Sequence, residues 1–419
     1  MFTGTSRIVA AVSLGLALGL AEAGRADDWP QWLGPNRDGV SREKGWRTTF
    51  GADGPATLWK TRVGVGYSSL AVRDGRLYTL GNTKDTDTLL CLKAATGRFL
   101  WKQTYACSAT APRTLVKLYS GTRSTPTVAG GRVYSFSRDG RLFCLTAADG
   151  KLLWSVDVRK KPIAAKIPSW GFACSPLILD KWVILDAGPI VALEAATGKL
   201  VWKSKAYSPA YSSPIALRLG GRPCIATLNG AGLTVVSAAD GAGVLSYPFT
   251  FTWVESCVTP IVSGGRCFIS AGEGSGSALV RLEKDRAVQV WRNSSMLNLS
   301  TNSVLFEGHL YGFHGGAIGA KSLRCVALET GEKVWSTRGL RNGALMIADG
   351  KLIALGGKGD LVIAPASPAG LKPLTRKKVL SGTCWTLPVL ANGRLYCRNA
   401  QGDLICLDVR AKQPAGSRP

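Results

Sequence analysis

Histidine is nearly absent from this chain: His309 and His314 are its only two in 419 residues. A Ser-His-Asp triad would have to use one of them, and no nucleophile elbow is present. His309 stands where other repeats carry Arg or Lys, which makes it a surface turn residue. Two histidines five apart without a carboxylate cluster make a poor metal site. No CxxC or CxxCH occurs and no two of the 11 cysteines are adjacent, so neither a thioredoxin-like pair nor covalent haem is indicated. No Cys precedes Cys91, so N-terminal lipid attachment has no site. Long hydrophobic runs are missing as well. The apolar-leaning stretch from Ile8 to Leu20 is too short for a permanent membrane helix. With Arg7 before it and small residues after it, this stretch reads as a signal peptide over residues 1–26. The expectation is a protein exported to the periplasm or cell envelope, not lipid-anchored, without a transmembrane segment and monomeric.

Negative charge is also scarce. Lys and Arg number 52 against 27 Asp and Glu, a net charge of +25. Removing residues 1–26 lowers it by only one, since Arg7 and Arg25 leave together with Glu22. Such a surface attracts anionic partners, such as phosphate-bearing headgroups or an anionic envelope polymer. It is also compatible with a diffuse charge that has no specific ligand. Export and the lack of any recognition motif argue against nucleic acid.

What is abundant is repetition. Residues 89–101 read LLCLKAATGRFLW, 142–154 LFCLTAADGKLLW, 190–202 IVALEAATGKLVW and 323–335 LRCVALETGEKVW. Each is an apolar strand, a Thr-Gly or Asp-Gly turn, and a second strand reaching Trp. The turn Gly recurs at Gly97, Gly150, Gly198, Gly241 and Gly331. Strand-built periods of roughly 40–50 residues mean a propeller. A second phrase, a turn residue followed by a β-rich run, recurs eight times, from GRLYTL (75–80) to GRLYCR (393–398). Both phrases give the same fold: all-β, an eight-bladed β-propeller over residues 55–410. It should close by pairing the N-terminal strand near Trp59 with the last strands near 403–409. Residues 27–54 are read as an N-terminal extension and 411–419 as a disordered tail.

Cys91, Cys144, Cys325 and Cys406 share one phase of the repeat, where Ala192 and Val235 stand elsewhere. A position that accepts Ala, Val or Cys is small and buried. Cys107, in a long inter-blade stretch, is expected to be the most exposed thiol.

The A-x-[TD]-G-x-x-x-W phrase resembles the repeat of the PQQ-like β-propeller superfamily, over roughly residues 27–410. DDWPQWLGPNRDGVS (27–41) is similar to the motif that follows the signal peptide in bacterial PQQ-binding-like repeat proteins. More distantly, the chain resembles the quinoprotein alcohol dehydrogenases and the lipoprotein BamB, a scaffold of outer-membrane β-barrel assembly. The resemblance implies that Trp101, Trp154, Trp202, Trp291 and Trp335 dock between blades. For a dehydrogenase it implies PQQ under a disulfide of adjacent cysteines and Ca²⁺ held by Glu, Asn and Asp. No such set is matched here. Asp186 and Glu273 lack a partner pattern, so neither PQQ nor Ca²⁺ is expected, and the lipid-bearing Cys of BamB is missing too.

In a propeller the residues leading into the innermost strands ring one end of the central channel. The ring positions here are Tyr67, Arg123, Ala173, Tyr211, Cys257, Thr301, Arg341 and Trp385. Tyr67, Arg123, Tyr211, Thr301, Arg341 and Trp385 are the candidate ligand contacts, by stacking and charge-assisted hydrogen bonds. The alternative is that this ring only plugs the channel. Two inter-blade stretches are oversize, 102–122 and 159–173. The second brings Arg159, Lys160, Lys161, Lys166 and Trp170, an Arg/Lys-plus-aromatic mix found at interfaces, and is expected to join the ring as one interaction face. The functional expectation is a non-catalytic binding scaffold whose partners are envelope proteins or an anionic polymer. The alternative is a PQQ-dependent alcohol dehydrogenase or a quinone-binding protein.

Overall fold

The computed structural model describes residues 27–108, 119–208, 211–251, 257–272, 274–316 and 319–411. The leader, Glu273, the tail after Ala411 and the middle of the 102–122 stretch lie outside the described residues. Eight sheets form the ring, seven of four strands and one of five. In the first blade Ala71–Arg73 lies innermost, followed outward by Arg76–Thr83, Thr86–Lys93 and Phe99–Ala106, all antiparallel. The middle strands are buried on both faces, so they read as unbroken apolar runs. The outermost strands alternate between exposed and covered because only one side packs. The first hairpin of a blade needs two residues at positive φ, and Asn392 (55°) and Gly393 (68°) supply them as an Asn-Gly pair. This up-and-down order puts every lead-in on one face, the mouth, and the first hairpin of every blade on the other.

The two repeated phrases meet at one atom. Trp101 Nε1 donates to Ala147 O of the next blade (3.1 Å), and Tyr78 Oη donates to the same carbonyl (3.2 Å). Trp154 and Tyr134 do the same to Ala195 O (3.2 and 3.3 Å). Trp59, Trp202, Trp291 and Trp335 bond to Ala94, Ala238, Leu328 and Ser367. Each of the first four carbonyls introduces a turn whose Gly receives an indole face. A Cβ at Gly97 would stand 2.7 Å from the Trp59 ring, and φ there is +70°. So the glycine is required both by its own turn and by its neighbour's tryptophan. A register shift just before each of these tryptophans, as between Leu152 and Trp154, turns the ring toward the next blade. Where Leu245 replaces Trp, Tyr247 Oη reaches Gln289 Oε1 instead (2.5 Å). Trp154→Ala is expected to cost about 3 kcal/mol. That is the low end for emptying an aromatic site, because part of this indole reaches solvent. Chemical denaturation checks it, and an unchanged midpoint shows that Trp154 is not an inter-blade wedge.

The ring closes as the sequence predicts. Thr57–Arg62 pairs antiparallel with Asp403–Asp408, with Trp59 opposite Cys406. This leaves the last blade no missing strand.

Residues 27–47 are more than an extension, since they fill the hairpin end of the central channel. Trp29 bridges Val72 of the first blade, and Pro30 O accepts from Val128 N of the second. Arg37 reaches Ser175 and Pro176 at the third blade and Pro214 at the fourth (Nη1 to O, 2.8 Å). Trp32 Nε1 donates to Thr259 Oγ1 of the fifth (3.0 Å), and Gly39 lies against Val304 of the sixth. Val40–Ser41 pairs in parallel with Ile347–Ala348, adding the fifth strand to the seventh blade, and Glu43 accepts from Gly393 N of the eighth. One segment thus touches all eight blades. Trp29, Leu33 and Trp46 are buried within it.

Candidate binding face at the channel mouth

Below the mouth a belt of hydroxyls joins blade to blade. Ser69 N donates to Thr125 Oγ1 (3.0 Å), Thr125 N to Ser175 Oγ (2.9 Å) and Ser175 N to Ser213 Oγ (2.9 Å). Thr259 and Asn302 exchange two such bonds. The Thr125, Ser175 and Ser213 hydroxyl oxygens are buried, and each accepts a backbone N–H from the preceding blade.

Above the belt the structure gathers part of the sequence-derived ring. The Tyr67 and Trp385 rings lie 5.9 Å apart, and Tyr119 stacks on Trp385 at 5.7 Å. Tyr119 also meets Trp170 edge-on at 5.8 Å. The Arg123 guanidinium stands 5.9 Å from both the Tyr67 and Trp170 rings, close enough for cation–π attraction. It donates to Trp170 O (3.2 Å) and Tyr119 O (2.8 Å). Tyr211 Oη accepts from Trp170 N (3.2 Å). Five expected residues, Tyr67, Arg123, Trp170, Tyr211 and Trp385, thus meet in one cluster. Burial raises the Tyr67 hydroxyl above its ordinary range, and Arg123 partly opposes this.

Other expected residues are elsewhere. Thr301 is buried and donates to Gly343 O (2.8 Å), which places it in the belt. Arg341 is exposed, and no contact joins it to the aromatic cluster among the described ones. Lys160, Lys161 and Lys166 do not join the ring. Ile163 and Ala165 anchor their part of the loop in the core of the second and third blades. Pro162 O accepts from Lys203 Nζ on the outermost strand of the third blade (2.6 Å). The loop therefore divides, with Trp170 at the mouth and the lysines on the outer flank. Tyr119 is the contributor that sequence reading missed. It lies inside an oversize stretch with no repeat phase to mark it.

Cys107 is a correction. It is buried, because the first blade's strands are long and their hairpin covers it. Its N donates to Asp85 O, and burial lifts its thiol to about 12. Cys257 is the only described cysteine that is partly exposed. Cys91, Cys144, Cys325 and Cys406 are fully buried, as their phase requires. His314 Nδ1 accepts from Leu297 N (3.1 Å), and burial drops the imidazole to about 4. It is neutral at physiological pH and structural.

A calcium–quinone centre needs about six to eight oxygen ligands on the metal, carboxylates among them. Asp186 is buried, its carboxyl raised to about 7 by desolvation, and its Oδ1 accepts from Gly188 N (3.1 Å). It brings one carboxylate. Among the described residues no three His, Cys, Asp or Glu side chains gather. Glu273, the other carboxylate considered, lies outside the described residues. No helix among them is long and apolar enough to cross a membrane.

The family model described as outer membrane protein assembly factor BamB matches residues 41–220 and 186–415. BamB of Escherichia coli (strain K12) is 27% identical over 304 residues, covering 68% of this chain and 73% of that protein. The crystal structure of BamB from Moraxella catarrhalis superposes with a TM-score of 0.60 at 16% identity, over 84% of this chain and 99% of that one. Quinohemoprotein alcohol dehydrogenase from Comamonas testosteroni gives a TM-score of 0.67 at 13% identity, over 95% of this chain and 83% of that one. Those two superpositions speak to the fold alone. With the family model spanning both halves of the ring, the chain belongs to the BamB family of the PQQ-like β-propeller superfamily.

Proposed function

We propose that this protein is an exported, non-catalytic binding scaffold of the cell envelope that engages an envelope protein through its mouth face. The observation that carries this reading is the cluster of Tyr67, Tyr119, Arg123, Trp170 and Trp385 on the face opposite the plugged end of the channel. Tyr, Trp and Arg are the residues on which binding energy concentrates at protein interfaces. Their mutual packing holds them in place before a partner arrives, which lowers the ordering cost of association. Relatives that carry the name of an outer-membrane assembly factor support the same reading, and it involves no cofactor.

The test compares wild type with Arg123→Ala/Trp170→Ala as baits in envelope extract at low and high salt. The expected result is a defined set of partners retained by wild type and lost by the variant, with retention falling as salt rises. Equal recovery by both proteins removes this face from consideration. Reconstitution with PQQ and Ca²⁺ tests the dehydrogenase alternative. Stoichiometric cofactor absorbance with dye-linked alcohol oxidation would overturn the scaffold reading.

A further inference from the structure

The outer flank of the second and third blades carries a surface that the mouth reading does not use. Loop 158–172 is tied down through Val158, Ile163 and Ala165. Lys160 and Lys161 between these anchors, and Lys166 and Ile167 just beyond the last, are exposed. The bond from Lys203 to Pro162 seats the loop against the strand Leu200–Ala206. On that strand Val201 is 47% exposed. Ile167, in the loop itself, is 41% exposed. Local acids are outnumbered by the cations: Asp157 is bound to Arg159 (2.7 Å), and over residues 194–206 Glu194 is the only acid against Lys199, Lys203 and Lys205. The whole chain is strongly basic at +25.

We propose that this flank docks peripherally on a bilayer whose surface carries anionic headgroups. Lysines with apolar side chains beside them suit such a surface. The ammonium groups meet the phosphates while Val201 and Ile167 enter the boundary between headgroups and acyl chains. A soluble polyanion would engage the lysines and gain nothing from the aliphatic side chains, so a membrane is the occupant that uses both. The protein would then lie on its side, with the mouth cluster free along the membrane plane.

The experiment is co-sedimentation of the full chain with vesicles of phosphatidylcholine, with and without phosphatidylglycerol. Wild type is expected to sediment only with the anionic vesicles. Lys160→Glu/Lys161→Glu/Lys166→Glu should weaken this by about tenfold or more. Val201→Ser/Ile167→Ser should weaken it about fivefold while eluting from a heparin column at the wild-type salt concentration. Melting temperatures of both variants, whose substituted side chains face solvent, are measured alongside. Arg123→Ala/Trp170→Ala should bind vesicles like wild type, so failure here and failure of the mouth reading are separable. Wild type that stays in the supernatant overturns the proposal. So does a serine variant that sediments like wild type, because charge alone would then account for the binding.

Discussion

A chain lacking residues 27–54 should unfold at a clearly lower temperature, with stability reduced by about 5 kcal/mol or more. The arithmetic starts from Trp29, Leu33 and Trp46, each buried in the channel plug. Burying a large apolar side chain contributes roughly 1.5–3 kcal/mol. The parallel pairing of Val40–Ser41 and the contacts of Arg37 with the third and fourth blades are lost as well. Deleting residues 27–62 should do more, because it also removes the strand Thr57–Arg62 that closes the ring. The last blade then exposes an open edge and the docking site of Trp59 is empty. Thermal melts of the two truncations check this order. A synthetic peptide of residues 27–47 added to the shorter truncation should raise its melting temperature by mass action. An unchanged melting temperature in the chain lacking 27–54 would show that the segment merely lies over the ring.

The plug also illustrates where reading the sequence stopped. Blade number and closure were legible because each repeat states the same local rule, and the resemblance supplied the role of the tryptophans. A Gly turn is followed by Trp, and the Trp of one blade meets the Gly of the next. Such a rule survives partial loss, so Leu245 in place of Trp did not hide the fourth blade. Residues 27–47 state no rule of this kind. Each of their contacts is to a different blade, and nothing in DDWPQWLGPNRDGVS announces eight separate partners. At the mouth, ring positions were legible because the lead-ins share a phase. The course of loop 159–173 was not. Its lysines and its tryptophan are close in sequence, but Ile163 and Ala165 anchor the chain between them. That anchor sends the two groups to different surfaces.

Arg398→Met should be among the most damaging single substitutions, costing about 5 kcal/mol. The guanidinium is fully buried in the last blade and has no carboxylate partner among the described residues. Nη1 donates to Ser68 O (2.8 Å), Thr79 Oγ1 (2.8 Å) and Leu80 O (2.7 Å), and Nη2 donates to Gly64 O (3.0 Å). All four acceptors belong to the first blade or to the segment leading into it. Burial lowers the guanidinium to about 9, so it remains ionised at neutral pH. A charged donor bonded to several carbonyl oxygens is stronger than a neutral one, and each buried polar group left without its partner costs about 1–3 kcal/mol. Met matches the length of the Arg stem but offers no donor, so Ser68 O and Gly64 O lose theirs at the seam between last and first blades, while Leu80 O keeps its bond from Thr122 Oγ1 (3.0 Å). Lys at this position keeps the charge yet cannot span two directions, so Arg398→Lys should recover less than half of the loss. Denaturant titration of the three proteins decides the matter. A methionine variant as stable as wild type would show that the seam is held by the Thr57–Arg62 strand and Trp59 alone, with Arg398 a passenger. The expected ranking of wild type, lysine and methionine instead makes this arginine a second clasp, placed at the mouth end of the seam while strand pairing closes its outer edge.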